Sequence, residues 1–291
     1  MKDNHKVYIL YQLLQAVKYL HSAGIVQKNL KPSNILINNE CIIKVADFMS
    51  SKFINEVKDQ EISFAGYVEN RWYDSPELLL GCTVFSKEMD IWSLGCIFGE
   101  ILLGKPLFPG TSTMNQLDRI LELTGFPSAE DILSIKSSFV ETFMENITVP
   151  KKRSLKKELS HCTPETRKLL KRFLVFNPSK RILIEEAFAH PYLSQFFDVK
   201  DIRTRRKPLK RVFDLSKVPS MEYAYELLSS FKKNCDIRKR SDHWPKIHRL
   251  LPPKKKGMVE EVFLILQILY QLPNDLSVLI IQHILIYFIS Y

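Results

Sequence analysis

Apolar residues recur at helical spacing through most of the first two hundred residues of the chain. Residues 7–21 carry apolar groups at i, i+3, i+4 and i+7, which predicts a long helix with a buried face. Residues 90–103 are apolar on nearly all sides, as expected for a helix at the centre of a core. Helical spacing returns at residues 114–124, 163–176 and 183–193. The pattern therefore predicts a mainly α-helical domain.

A strand pair interrupts this helical pattern. Residues 34–45 contain two short apolar runs on either side of a polar Asn-Asn turn, which predicts a β-hairpin. Residues 50–70 are polar and lack strong periodicity, which is typical of a loop.

Residues 262–291 form two apolar runs that are separated by Pro-Asn-Asp at 273–275. Each run is shorter than the ~20 residues that a helix needs to cross a bilayer. We expect a helical hairpin folded onto the protein, and the alternative is a short membrane anchor.

The formal net charge of +10 is concentrated in one part of the sequence. Between Lys200 and Lys256 there are 18 basic and 6 acidic residues, whereas the remainder of the chain has 24 basic and 26 acidic residues. A nearly neutral domain is therefore followed by a basic extension. Such an extension could attract acidic or phosphate-rich partners, act as a nuclear-import signal, or simply be a solvated segment.

The five cysteines are scattered and form neither a Cys-x-x-Cys pair nor a His/Cys cluster with metal-binding spacing. Reduced thiols are therefore expected. The N-terminus lacks the apolar core of a signal peptide. Both observations predict a cytoplasmic or nuclear location.

Candidate chemistry lies in residues 25–34, Ile-Val-Gln-Lys-Asn-Leu-Lys-Pro-Ser-Asn, and in Asp-Phe-Met at 47–49. Their layout is that of the H-R-D-L-x-x-x-N and D-F-G motifs of protein kinases. Further stretches match the same family in order and spacing: 19–24, 71–77, 90–96, 108–117, 176–181 and 190–193. The chain thus resembles the C-terminal lobe of a mitogen-activated protein kinase, most closely the atypical extracellular-signal-regulated branch.

This resemblance implies a protein-kinase-like C-terminal lobe, helical with a short β-hairpin at the cleft, and an absent N-terminal lobe. Three segments are expected: the kinase-like lobe at 1–197, a basic extension at 198–257 and an apolar tail at 258–291. Within the lobe, 25–34 is the catalytic-loop remnant and 47–77 is the activation segment.

The resemblance assigns roles to four residues of the expected cleft. Asn34 and Asp47 match the Mg²⁺ ligands, and Lys31 matches the lysine that neutralises the γ-phosphate. Asn29 replaces the catalytic Asp that accepts the substrate proton, and losing such a base slows a reaction by ~10²–10⁴. Alternatively, Lys31, Asn34 and Asp47 are kept because they hold the loop together by hydrogen bonds.

Other matched positions belong to the regulatory and structural parts of the family. Tyr67 is the one residue of the Thr-x-Tyr phosphorylation motif that remains, because Ala65 replaces the threonine. Glu77 in the activation segment and Arg181 match a buried ion pair, and Asp90 matches the aspartate that anchors the catalytic loop.

Asp198 and Asp201 match the acidic pair with which mitogen-activated protein kinases dock basic peptides, and the alternative is two solvated surface acids. The expected partners are accordingly proteins, namely docking-motif peptides or signalling kinases. Nucleic acid is not expected, and a membrane contact through 262–291 is a minor alternative.

Three functional hypotheses follow. The first is a catalytically inactive, kinase-like protein that binds partners or acts as a signalling scaffold. The second is a Ser/Thr kinase that transfers the γ-phosphate of ATP to protein hydroxyls, if an N-terminal lobe is missing only from this gene model. The third is a degenerate gene product without specific activity. The family uses ATP and Mg²⁺, but only six residues precede Val7, so no cofactor is expected for this chain.

Overall fold

The computed structural model of this chain describes residues 1–48, 50–54, 71–135, 137, 140 and 152–208. The described residues belong to two compact units. The larger unit comprises Met1–Val45 and Ser51–Pro208, and Ala46–Ser50 belongs to the second. The predictions for Met49, Tyr67, the extension beyond 208 and the apolar tail lie outside the described residues.

The larger unit is mainly helical. Its described helices are α1 (Asp3–Ser22), α2 (Pro76–Leu79), α3 (Lys87–Leu103), α4 (Thr113–Thr124), α5 (Ala129–Leu133), α6 (Leu155–Glu158), α7 (Pro164–Phe173) and α8 (Ile184–Phe188). Short 3₁₀ segments occur at Pro32–Asn34, Pro178–Lys180, Pro191–Leu193 and Val199–Asp201. Helices α1, α3, α4 and α7 confirm the positions predicted from periodicity.

The helix predicted over 183–193 is shorter than its pattern suggests. Helix α8 ends at Phe188, and a 3₁₀ turn begins at Pro191, which has no N–H to continue α-helical hydrogen bonding. His190 caps this turn, because its Nδ1 accepts a hydrogen bond of 3.2 Å from the backbone N–H of Tyr192. Tertiary and capping interactions therefore divide one apolar pattern into two short elements.

Two small antiparallel sheets flank the site region. Strand β1 (Ile25–Val26) pairs with β4 (Lys52–Phe53), and β2 (Ile35–Ile37) pairs with β3 (Ile43–Val45). The side chain of Gln12 fixes the β2–β3 hairpin to α1. Its Nε2 donates to the carbonyl of Cys41 at 2.8 Å, and its Oε1 accepts from the N–H of Ile43 at 3.1 Å.

Helix α3 forms the centre of the core and contacts both α1 and α7. Its residues Trp92 and Phe98 are fully buried, which explains its nearly uniform apolar sequence. Gly95 permits a close approach to α7, because a Cβ at this position would lie 2.7 Å from the Cβ of Phe173. Within the described residues, no helix is long and apolar enough to span a membrane.

Candidate functional site

The fully buried carboxylate of Asp90, in helix α3, holds the backbone of the catalytic-loop segment. Oδ2 accepts from the N–H of Gln27 at 2.9 Å, and Oδ1 accepts from the N–H of Lys28 at 2.8 Å. The ring Nε2 of His21 lies 2.8 Å from Oδ2. Hydrogen bonds to a charged group are stronger than neutral ones, so this carboxylate fixes the loop where it leaves β1.

Lys28 follows the strand with an unusual backbone conformation. Its φ angle is 70°, in the left-handed region that a residue with a side chain seldom adopts. The ammonium group lies 4.6 Å from the centre of the Phe85 ring, a cation–π contact. The side chain is therefore directed to the loop that precedes α3.

The backbone on both sides of Asn29 is held by neighbouring side chains. The N–H of Asn29 donates to Oε1 of Gln27 at 2.7 Å. Nδ2 of Asn34 donates to the carbonyl oxygen of Asn29 at 2.8 Å. The carboxamide at position 29 can donate and accept hydrogen bonds, but it cannot take up a proton as a carboxylate can. Hydrogen bonds on both sides therefore hold the backbone at Asn29.

The two residues matched to Mg²⁺ ligands lie in different units. Asn34 is buried at the end of the 3₁₀ turn, whereas Asp47 belongs to the second unit and has a φ angle of 57°. In the described part of the chain, no group of three or more His, Cys, Asp or Glu residues could hold a metal. Carboxylate and carboxamide oxygens are nevertheless the hard ligands that suit Mg²⁺, an ion that commonly takes its remaining ligands from phosphate and water.

A buried ion pair joins α2 to the segment that follows α7. Arg181 donates from Nη1 to Oε1 of Glu77 at 2.7 Å and from Nη2 to Oε2 at 2.6 Å. Its remaining donors reach the carbonyl oxygens of Val175, Glu88 and Phe176 at 2.8–3.0 Å. The guanidinium group is thus fully hydrogen-bonded, which offsets the cost of burying its charge.

Residues 72 and 73 are tied to the helical core by contacts that the sequence did not reveal. The Tyr73 hydroxyl donates to Oε2 of Glu100 at 2.6 Å, and the indole N–H of Trp72 donates to the carbonyl of Gly110 at 2.9 Å. Burial, together with the hydrogen bond to Glu100, raises the pKa of Tyr73 well above its ordinary value. The phenol therefore remains protonated and acts as a structural donor.

The matched docking acids lie at the last 3₁₀ turn. Asp198 is exposed and caps the turn, because its Oδ1 accepts from the N–H of Lys200 at 2.8 Å. Asp201 is the last residue of the turn. Two residues before Asp198, the ring of Phe196 packs against that of Tyr8 in α1, with the ring centres 5.1 Å apart.

Comparisons with known proteins agree with this architecture. The protein kinase domain family matches residues 1–193. Extracellular signal-regulated kinase 2 of Dictyostelium discoideum is 44% identical over 245 residues, which cover 82% of this chain and 66% of that protein. Mitogen-activated protein kinase 15 of Xenopus laevis is 43% identical over 199 residues, covering 67% of this chain and 34% of that protein.

A plant relative shows the same relationship. Mitogen-activated protein kinase 10 of Arabidopsis thaliana is 37% identical over 228 residues, covering 78% of this chain and 56% of the relative. The chain therefore spans between a third and two thirds of the length of these three relatives. It belongs to the protein kinase family, and its matched relatives are mitogen-activated and extracellular signal-regulated kinases.

Proposed function

We propose that this mitogen-activated-protein-kinase-like chain acts by binding protein partners and is catalytically inactive. The observation that carries the proposal is a carboxamide, Asn29, in a loop whose backbone is held by Asp90, Gln27 and Asn34. Because the loop is fixed, the missing proton acceptor is not replaced by a mobile neighbour on the same segment. The general-base contribution of ~10²–10⁴ in rate is lost.

Some of the residues that would bind Mg²⁺ and the phosphates of ATP are present. Bound ATP with Mg²⁺ would supply the γ-phosphoryl group for transfer. Asn34 and Asp47 each carry a side-chain oxygen of the kind that Mg²⁺ prefers, and the ammonium of Lys31 would offset phosphate charge. The hydrogen bond from Asn34 to the Asn29 carbonyl also gives Asn34 a structural task. Its retention is therefore compatible with a loop that no longer catalyses transfer.

Slow phosphoryl transfer is the second candidate function, and the retention of Lys31, Asn34 and Asp47 favours it. Phosphoryl transfer depends mainly on positioning and charge stabilisation, so loss of a base alone leaves residual activity. This candidate rests on the full-length relatives, of which the chain spans between a third and two thirds. A cytoplasmic or nuclear location and protein partners fit either candidate.

A transfer assay with a matched control separates the two candidates. The purified chain, its Lys31→Ala variant and its Asn29→Asp variant are incubated with labelled ATP, Mg²⁺ and a basic protein substrate. We expect no transfer above the Lys31→Ala background. Transfer that falls in Lys31→Ala and rises by up to ~10²–10⁴ in Asn29→Asp would overturn the inactive assignment.

Nucleotide binding is measured separately by thermal unfolding of the same three proteins and of an Asp47→Ala variant. A ligand present at 100 times its Kd adds about 2.7 kcal/mol to the free energy of unfolding, which moves the midpoint by several degrees. We expect no Mg²⁺-dependent shift with ATP. A clear shift that requires Mg²⁺ and is lost in an Asp47→Ala variant would favour the kinase candidate.

A further inference from the structure

A cavity of about 640 Å³ lies on the larger unit, between residues 123–131, 152–156 and 171–180. We call it the basic cleft. It is formed by the end of α4 and the start of α5, by the segment that enters α6, and by the end of α7 with the loop that follows. Its volume is within the range of about 300–1,000 Å³ that is typical of ligand-binding clefts. None of the residues assigned to the catalytic loop line it.

One part of the wall of the basic cleft is apolar. Leu155, Leu174 and Phe176 contribute buried side chains, and Leu123 continues the wall on the α4 side. Phe126 stands at the rim with 47% of its surface exposed. An exposed phenylalanine beside an apolar cavity can cover an inserted aliphatic or aromatic group, which would bury the ring in turn.

The charge at the cleft is strongly one-sided. Among the described residues that line it, five are basic and one, Asp131, is acidic. That acid is already engaged, because it accepts hydrogen bonds from Lys180 at 2.8 Å and from Asn177 at 2.9 Å. Arg153 is engaged as well, in a two-point ion pair with Glu158 at 3.0 and 2.7 Å.

Three cations at the cleft have no acidic partner among the residues that the structure describes. Within the described part of the chain, Lys152, Lys156 and Lys171 form no ion pair. Like charges gathered at the rim of a cleft attract a ligand of opposite sign and reject one of the same sign. The basic stretch between Lys200 and Lys256 is therefore a poor occupant on charge grounds.

We propose that the basic cleft binds an acidic peptide segment of a partner protein. An aromatic or aliphatic side chain of the peptide enters between Phe126 and the wall at Leu155. Carboxylates on either side of this anchor pair with Lys152, Lys156 and Lys171. The site does not depend on phosphoryl transfer, so it serves a catalytically active and an inactive chain equally.

The test uses the full chain and a short fluorescent peptide that contains one phenylalanine within a run of glutamates. Fluorescence anisotropy reports binding. The triple variant Lys152→Glu/Lys156→Glu/Lys171→Glu is expected to lose about tenfold or more in affinity, and each single Lys→Ala change about two- to fivefold. Phe126→Ser is expected to weaken binding without changing its salt dependence.

The matched control replaces three exposed lysines outside the cleft, Lys2, Lys168 and Lys207, by glutamate. Its net charge equals that of the triple variant. We expect its affinity to stay near that of the original chain. Equal losses in both triple variants, or an unchanged affinity in the cleft variant, would assign the binding to the basic stretch beyond Lys200 and overturn the proposal.

The second part of the test changes the sequence of the peptide. A peptide with glutamine at every glutamate position is expected not to bind, and one with serine in place of phenylalanine is expected to bind more weakly. Salt adds a further check, because the Debye length falls from ~30 Å at 0.01 M to ~3 Å at 1 M. Binding of the glutamine peptide as tight as that of the glutamate peptide would refute charge recognition.

Discussion

The ammonium group of Lys28 lies 4.6 Å from the centre of the Phe85 ring, so a cation in the catalytic loop is held by an aromatic ring that precedes α3. In the H-R-D motif of protein kinases an arginine stands where this chain has Lys28. Lysine is a point charge and lacks the two-point fork of arginine. The contact with Phe85 joins this loop to the segment that precedes α3.

A double-mutant cycle measures the Lys28–Phe85 contact. Lys28→Ala, Phe85→Leu and the double variant are unfolded with urea. We expect a coupling energy of about 0.5–2 kcal/mol, the range of cation–π contacts from exposed to desolvated sites. Phe85→Leu alone also removes buried ring surface, and the cycle cancels that contribution. A coupling energy of zero would show that the contact does not stabilise the loop.

Asp90 is predicted to be essential to the stability of the loop. Asp90→Ala removes the acceptor of two backbone N–H groups and of the His21 ring, and each buried donor left unpaired costs about 1–3 kcal/mol. We expect several kcal/mol of destabilisation in urea unfolding. Glu40→Ala is the control, since Glu40 is an exposed acid on the hairpin turn and surface changes are usually within about 0.5 kcal/mol.

Removal of one partner of the Glu77–Arg181 pair is predicted to lower the stability of the fold strongly. Glu77→Ala leaves a buried guanidinium without its carboxylate, a change that costs about 3–5 kcal/mol in buried pairs. Urea unfolding of each single variant and of Glu77→Leu/Arg181→Leu is the measurement. We expect the double variant to be more stable than Glu77→Ala, and the reverse order would argue against a penalty from the uncompensated charge.

Acid is predicted to weaken the contact between α5 and the loop after α7. Hydrogen bonds from Lys180 and Asn177 hold the pKa of the Asp131 carboxyl well below its usual range. A depressed pKa in the folded state contributes stability above the unfolded value near 3.9, and this is lost as the pH falls below about 5. The stability difference between the original chain and Asp131→Asn should therefore narrow as the pH falls from about 5 to about 2, with most of the change below about pH 4. A constant difference across that range would contradict the prediction.

The acids at the last 3₁₀ turn are predicted to bind a basic docking peptide. Asp198→Lys with Asp201→Lys should reduce binding of an Arg/Lys-rich peptide about tenfold or more, because like charges then face the ligand. Glu40→Lys with Glu130→Lys is the control with the same change of net charge at exposed positions elsewhere. Equal weakening in both variants would indicate a general charge effect without a docking site.

The sequence predicted the larger helices and the hairpin because each has a local pattern. Helix α3 is apolar on nearly all sides, and the β2–β3 hairpin consists of two short apolar runs around a polar turn. The contacts of Lys28 with Phe85 and of Tyr73 with Glu100 have no such pattern, since their partners are distant in the sequence. The cation–π contact arises from tertiary packing, which no periodicity encodes.

The basic cleft was likewise hidden in the sequence. Lys152 precedes α6, Lys156 lies within α6 and Lys171 lies within α7, and each one alone is an ordinary solvated residue. Only the fold brings them to one rim. Conversely, the length of α8 was overestimated because an apolar pattern continues through Pro191, where helical hydrogen bonding stops.

The hydrogen bonds of Asp90 have a consequence for how such a chain can change over time. The carboxylate binds the peptide N–H groups of positions 27 and 28, which every residue type except proline carries. Side chains at these positions can therefore be substituted while the hydrogen bonds from the main chain to Asp90 persist. Selection for folding and selection for catalysis act on different atoms here, so the loop can lose its catalytic groups and keep its backbone structure.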